Sequence, residues 1–199
     1  ARKRLRTALW RLRSTLDKHL SAGDVVRVAR NRWGISDVVD LDVARFEAGI
    51  LRGLNGPRSP VNPSGELSEL ESALRLYRGD LLEGQYEEWC QSERERLRVL
   101  YLDTLECMTR RYAAQGAWQQ ALNCGRRILE RDPLREHIPR EVMALYYLAG
   151  DRPRALRQFR HCRQTLKEEL GVAPMQSTLE VRNALEAEDI RAIEAIVEP

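Results

Sequence analysis

Two short strings set 34 residues apart constrain this chain more than any other feature: Gly116-Ala-Trp-Gln-Gln-Ala121 and Gly150-Asp-Arg-Pro-Arg-Ala155. A period of 34 is that of the tetratricopeptide array, whose unit is a pair of helices. In that motif the glycine lets two antiparallel helices turn, and the small alanine lets them approach closely. A proline about twelve residues beyond the alanine opens the next unit, and Pro133 stands in that place after Ala121. An earlier candidate unit around Ser68 to Tyr77, with Ala73, is out of phase and must contain an insertion.

The rest of the chain divides around this array. Residues 2–20 read as a helix, because Leu5, Leu9, Leu12 and Leu16 fall within an arc of about 60°. Gly23 ends it. Val25, Val26 and Val28, a turn at Asn31, and Trp33-Gly34-Ile35 then predict a small β-hairpin. From Asp40 the character changes: Asp42 is a plausible N-cap, and Phe46, Ile50 and Leu54 follow at helical spacing. Residues 55–65 concentrate Gly, Pro, Asn and Ser and predict a loop. Every later segment reads as helix, punctuated by Gly79, Gly84, Gly116, Gly150 and Gly171. Residues 177–199 form one more acidic amphipathic helix with Leu185, Ile193 and Ile196, the natural cap for the end of an array.

Charge is distributed unevenly. Residues 1–33 hold ten Lys and Arg against Asp17 and Asp24, a balance of +8, and the remainder carries 23 bases against 28 acids, a balance of −5. A basic end on an acidic body suggests an element that faces a polyanion joined to one that faces protein. On the helical wheel Arg2, Lys3, Arg6, Trp10 and Arg13 lie away from the leucine stripe, and Arg30 and Arg32 fall at the predicted hairpin tip.

Several classes are disfavoured. No apolar run reaches membrane-spanning length, and the first residues lack the apolar stretch of a secretory signal. Cys90, Cys107, Cys124 and Cys162 are too far apart for zinc-type pairs and read as small buried hydrophobes in a reducing compartment. His19, His137 and His161 form no metal motif, and no P-loop, nucleophile elbow or glycine-rich phosphate cradle is present. The reading is of a cytoplasmic non-enzyme without cofactor. Glu93-Arg94-Glu95-Arg96 reads as a solvated salt-bridged face, and Trp89 and Trp118 as packing between helices near turns. Trp33 is placed to bridge the hairpin and the first helix of the body. Pro139 either starts a helix near Ile138 or kinks one.

The strings LRLYRGDLLEG (74–84), EEWCQSERERL (87–97) and the run from Asp132 to Pro174 with DPLRE and EELGVAP resemble the bacterial transcriptional activator domain. That domain is the helical module of SARP-type regulators, and the resemblance covers roughly residues 40–185. In that family an OmpR-type winged helix comes immediately before. The segment from Leu5 to Leu20 resembles its recognition helix and that from Val25 to Ser36 its wing, followed by the junction Asp40-Leu-Asp-x3-Phe46. The chain is therefore expected to begin inside the winged helix, without that fold's sheet and first two helices.

The expected fold is mainly α: a tetratricopeptide-like array of helical hairpins behind a small winged-helix remnant of one helix plus a β-hairpin. Residues 1–39 form the partial DNA-binding domain and residues 40–199 the activator domain with its capping helix. The resemblance implies a transcriptional regulator that contacts DNA through Arg2, Lys3, Arg6, Trp10, Arg13, Arg30 and Arg32. A recognition helix uses guanidinium groups on guanine edges, while hairpin arginines track phosphate. The helical domain is expected to contact protein, through homodimerisation or recruitment of RNA polymerase. Two other readings stay open at this point: a free-standing adaptor that does not bind DNA, and a sensor with a small-molecule pocket between repeats.

Overall fold

The computed structural model describes residues 10, 11, 14, 15, 26–29, 32–35, 39–55 and 63–197. Trp10, Arg11, Ser14 and Thr15 are helical. Strands β1 (Val26–Ala29) and β2 (Arg32–Ile35) pair antiparallel, with Val26 opposite Ile35 and Ala29 opposite Arg32. The rest is helical: α1 (Asp42–Asn55), α2 (Pro63–Leu74), α3 (Glu88–Ala114), α4 (Trp118–Arg131), α5 (His137–Leu148), α6 (Arg152–Glu169), α7 (Gln176–Ala187) and α8 (Ile190–Val197).

The helices pack in consecutive pairs, α1 on α2, α3 on α4, α5 on α6 and α7 on α8, with α4 leaning on α5. The turns that close the second and third pairs are those of the 34-residue repeat. Gly116 has φ +67° and Gly150 φ +81°, a left-handed conformation that costs an L-residue roughly 1–2 kcal/mol. Ala121 and Ala155 sit one helical turn beyond each and are fully buried. The Asp151 side chain accepts from the Arg154 N–H at 2.9 Å and caps α6, with Pro153 in its first turn.

In the first pair close approach comes from glycines. A Cβ on Gly49 would stand 2.8 Å from the Ala73 Cβ, and one on Gly53 would stand 2.5 Å from Leu70. Gly53 thus takes the buried place expected of Leu54, which is 37% exposed, while Phe46 and Ile50 are buried as their spacing predicts. The expected 55–65 loop is shorter than predicted, because α2 starts at Pro63. Proline is suited to a first helical turn, where its missing N–H has no partner to lose.

Three further expectations change. The C-terminal segment is two helices rather than one: Glu188 turns the chain with φ +58°, and α8 folds back onto α5 and α7 and reaches α3. Residues 78–87 are not helix but a turn-rich connection between the first two pairs. Pro139 is buried in the first turn of α5, which starts at His137, so the helix is begun there and not kinked. The side chain of Trp33 lies outside the described residues.

Two apolar clusters make the core. The larger runs from Phe46 and Ile50 of α1 through Leu102, Leu105 and Met108 of α3 to Ile138 and Leu145 of α5. The smaller joins Met143, Phe159, Val181, Leu185 and Ile193 at the C-terminal end. Cys90, Cys124 and Cys162 are buried and Cys107 half-buried, and burial raises the Cys124 and Cys162 thiols to about 11. No helix among the described residues is long and apolar enough to cross a membrane.

The glycine contacts give a direct test. Gly49→Ala gains helix propensity of about 1 kcal/mol. It also forces two backbones apart at a contact with no rotamer to relieve it, a cost of about 1–3 kcal/mol. A net loss is expected, read as a lower Tm. Gly150→Ala, where a Cβ meets open space, should lose only the left-handed strain of about 1–2 kcal/mol.

Candidate functional site

Of the residues expected to meet DNA, Trp10 is helical and 68% exposed, and Arg32 begins β2. Arg2, Lys3, Arg6, Arg13 and Arg30 lie outside the described residues. The side chain of Arg32 also lies outside the described residues, so Trp10 is the one expected DNA-facing side chain that is described, and the body supplies the rest of the geometry.

Each recognisable string of the body holds a joint. In LYRGD, the Tyr77 ring stacks on Tyr101 of α3 with centroids 4.3 Å apart and packs on Phe46 of α1 at 5.7 Å. Its hydroxyl donates to Asp80 Oδ1 at 3.0 Å; burial, then that bond, push its pKa up to about 12. Two guanidinium groups of α4 complete the stack, Arg131 over Tyr77 and Arg127 over Tyr101, and Arg127 also donates to the Tyr101 hydroxyl at 2.9 Å.

In WCQSER, Arg94 was expected on a solvated face with its neighbours. Instead its guanidinium turns back and donates to the carbonyls of Leu81, Leu82 and Gln85 at 2.9, 2.8 and 3.1 Å. The correction has a simple cause: the 78–87 connection leaves carbonyls without helical partners, and a planar fork of donors satisfies several at once. Arg96 behaves as predicted, pairing with Glu93 and Glu47. Trp89 departs from its expected packing and is 63% exposed, whereas Trp118 is half-buried against the larger cluster.

In DPLRE, Arg135 bonds Asp132 at 2.9 Å and reaches Asp103 and Glu106 of α3 at 3.6 and 3.7 Å. Glu136 Oε1 accepts from the Met175 N–H and the Thr178 hydroxyl, both at 2.6 Å, tying α5 to the start of α7. In EELGV, Gly171 turns with φ +68° and the Val172 N–H returns to the Leu166 carbonyl at 3.3 Å. Arg152 donates to the carbonyls of Leu185 and Glu186 and so closes the end of α7. Sequence reasoning missed Arg94, Glu136 and Arg152 as ties, although all three sit inside the strings that carry the resemblance.

At the C-terminal end α8 lies against α5 and α7 with Ile193 fully buried. Beside it α5, α7 and α8 enclose a cavity of about 420 Å³ lined by His137, Arg140, Glu141, Val181, Ala184 and Ile196 among others. Glu141 is the polar residue of note. One carboxylate oxygen is 3.6 Å from Arg110, while the other, Oε2, is buried without a hydrogen-bond partner among the described residues. Burial raises its pKa against the opposing pull of Arg110, with nearby Glu106 adding to the rise. Among the described residues no group of His, Cys, Asp or Glu is placed to hold a metal.

The fold defines a module of packed helical hairpins joined by side-chain ties, with family strings at the joints. Residues 41–186 match the bacterial transcriptional activator domain family, and the chain belongs to that family, the helical module of SARP-type transcriptional regulators. It is 28% identical over 189 residues to the regulatory protein AfsR of Streptomyces coelicolor, covering 91% of this chain and 18% of AfsR. It is 29% identical over 116 residues to the transcriptional regulator RedD of the same organism, covering 58% of this chain and 33% of RedD. The chain thus spans a minor part of both relatives. A solved structure of Mycobacterium tuberculosis EmbR in complex with a low affinity phosphopeptide has the same fold, with a TM-score of 0.66 over 99% of this chain and 54% of that one at 18% identity.

Glu141 yields a pH prediction. A carboxyl whose pKa is raised on folding binds its proton more readily in the folded state, so its penalty is absent at low pH. The penalty grows as pH rises from the unfolded toward the folded pKa and is complete above it. Glu141→Gln should therefore melt above the parent at pH 8, with the gap closing toward pH 4. Equal gaps at both pH values would contradict the raised pKa.

Proposed function

We propose that this chain is part of a bacterial transcriptional activator, with residues 1–39 at its DNA-binding end and residues 40–199 as the protein-contacting module. The observation that carries the reading is the family match beginning at residue 41, directly after a segment of basic sequence that is helical at Trp10, Arg11, Ser14 and Thr15 and a pair of antiparallel strands. In this reading the helix and hairpin are the recognition helix and wing of a winged helix. Arg2, Lys3, Arg6, Trp10 and Arg13 approach the groove, and Arg30 and Arg32 follow the backbone phosphates. The body is a tetratricopeptide-like array, and its contribution is contact with protein, either RNA polymerase or a second copy.

A recognition helix without its supporting helices loses much of its positioning. This chain alone is expected to bind duplex DNA weakly, with steep salt dependence and little sequence preference. Fluorescence anisotropy against increasing salt measures this. Each phosphate contact contributes about 0.9 to the slope of log K against log salt, so replacing Arg30 and Arg32 by alanine should flatten it by about 2. Tight, sequence-selective binding near physiological salt would overturn this expectation, and an unchanged slope would remove the wing from the interface.

A further inference from the structure

We propose that the connection from α2 to α3 is a docking site for a cationic amphipathic helix of a partner protein. It rests on the reading of the body as a protein-contacting module and names the chemistry of the partner.

The first observation is the exposure of large apolar side chains on a built turn. Leu82 is 50% exposed and Tyr86 79% within the connection, and Trp89 is 63% exposed in the first turn of α3 that follows it. Tryptophan and tyrosine are the residues most enriched at the energetic centres of interfaces. The turn that presents them is held firmly. Arg94 binds the carbonyls of Leu81, Leu82 and Gln85, two of them through the same nitrogen, and Gln91 donates to the Tyr86 carbonyl at 2.7 Å. Leu82 itself has φ +47°, a left-handed conformation that a leucine adopts only when its surroundings impose it. A strained leucine and two aromatics held toward solvent by four hydrogen bonds are a poor solution to packing and a good one to recognition.

The second observation is a receptacle. Between α1 and this connection lies a cavity of about 320 Å³, walled by Val43, Phe46, Leu76, Leu81, Leu82 and Leu97 among others, with Asp42, Arg78 and Asp80 as the charged residues on its lining. Leu82 is both exposed and on the cavity lining, so it joins the receptacle to the turn, while Tyr86 and Trp89 stand outside the lining.

The third observation fixes the occupant's charge. Glu83, Glu87 and Glu88 are exposed within the same stretch and make no ion pair or side-chain hydrogen bond among the described residues. The dipole at the start of α3 favours Glu87 and Glu88, which explains their tolerance but not the apolar side chains beside them. An apolar anchor for the cavity, flanked by lysines or arginines for the rim, is the complementary ligand, and an amphipathic helix presents both on one face.

The test uses this chain and a fluorescein-labelled Leu/Lys amphipathic peptide about five helical turns long, with a Leu/Glu peptide of the same apolar face as control. The Leu/Lys peptide should bind and the Leu/Glu peptide should not. Trp89→Ala and Tyr86→Ala should each weaken binding about tenfold or more. Joint replacement of Glu83, Glu87 and Glu88 by glutamine should weaken it and remove its salt dependence. Arg94→Lys keeps the charge but loses the fork, and should weaken binding with Trp89 still in place. Trp89 and Tyr86 are exposed, so unchanged melting curves separate these effects from misfolding. Equal affinity for parent and Trp89→Ala, or no binding by the parent, overturns the proposal. Self-association that Trp89→Ala abolishes also overturns it, by making a second copy the occupant. DNA binding plays no part in the assay, so its failure would stand apart from failure of the regulator reading.

Discussion

The stack of Phe46, Tyr77 and Tyr101 under Arg127 and Arg131 is the contact on which the arrangement of the body depends. The first helical pair meets the second across a connection with little regular structure of its own. Backbone packing between α2 and α3 is sparse, so side chains carry the joint. Aromatic pairs contribute about 0.5–1.5 kcal/mol beyond their burial, and cation–π contacts about 0.5–1 kcal/mol each at exposed sites. About three turns farther along α3, Arg111 reaches Glu66 and the Gly53 carbonyl at 3.2 Å, and the Tyr112 hydroxyl donates to Glu71. These ties cross from one pair to the next, so the positions of α1 and α2 are fixed by named polar groups as well as by the shared apolar cluster.

This explains why the sequence spoke so clearly about family and so little about interaction surfaces. The strings LYRGD, DPLRE and EELGV are joints, each made of residue types that only a particular geometry satisfies. Tyr77 needs its stack and Asp80, Glu136 needs the start of α7, and Gly171 needs a left-handed turn. Likewise the turns at Gly116 and Gly150 were legible, because glycine there reports a backbone constraint and the buried alanine reports a close approach. What was not legible depended on distance in space. Nothing local marks Glu188 as the hinge between α7 and α8, since glutamate is an ordinary helical residue and its φ of +58° is imposed by the packing of α8 on α5. Leu54 and Gly53 exchanged roles because the partner helix presents Leu70, whose bulk fits only over a residue without a Cβ.

Arg94 shows the same limit in electrostatics. Alternating glutamate and arginine on a helix is usually a solvated face, worth a few tenths of a kcal/mol per pair. Here Arg96 follows that rule and Arg94 does not, although the two are separated by a single residue. The difference lies in what faces each side chain. Arg96 meets carboxylates of α3 and α1, whereas Arg94 meets carbonyls of an irregular turn that has no helical ladder, several of which one planar fork of donors can reach. The identity of the neighbour decides the role, and the neighbour is supplied by the tertiary fold.

Helix phase then accounts for where Trp89 points. Cys90, Leu97 and Tyr101 are buried and define the inward face of α3. At about 100° per residue Arg94 and Leu97 fall close to the direction of Cys90, while Trp89 is turned about 100° away. Once Cys90 and Arg94 face the turn, position 89 is committed to solvent whatever residue occupies it. Packing therefore explains the exposure of this position but not its tryptophan, since a polar residue would serve the helix equally well. The same holds for Tyr86, which precedes the helix and is the most exposed of the three apolar side chains on the turn. The clamp fixes the geometry, the helix phase sets the direction, and the side chains that remain unexplained by either are the ones available for recognition.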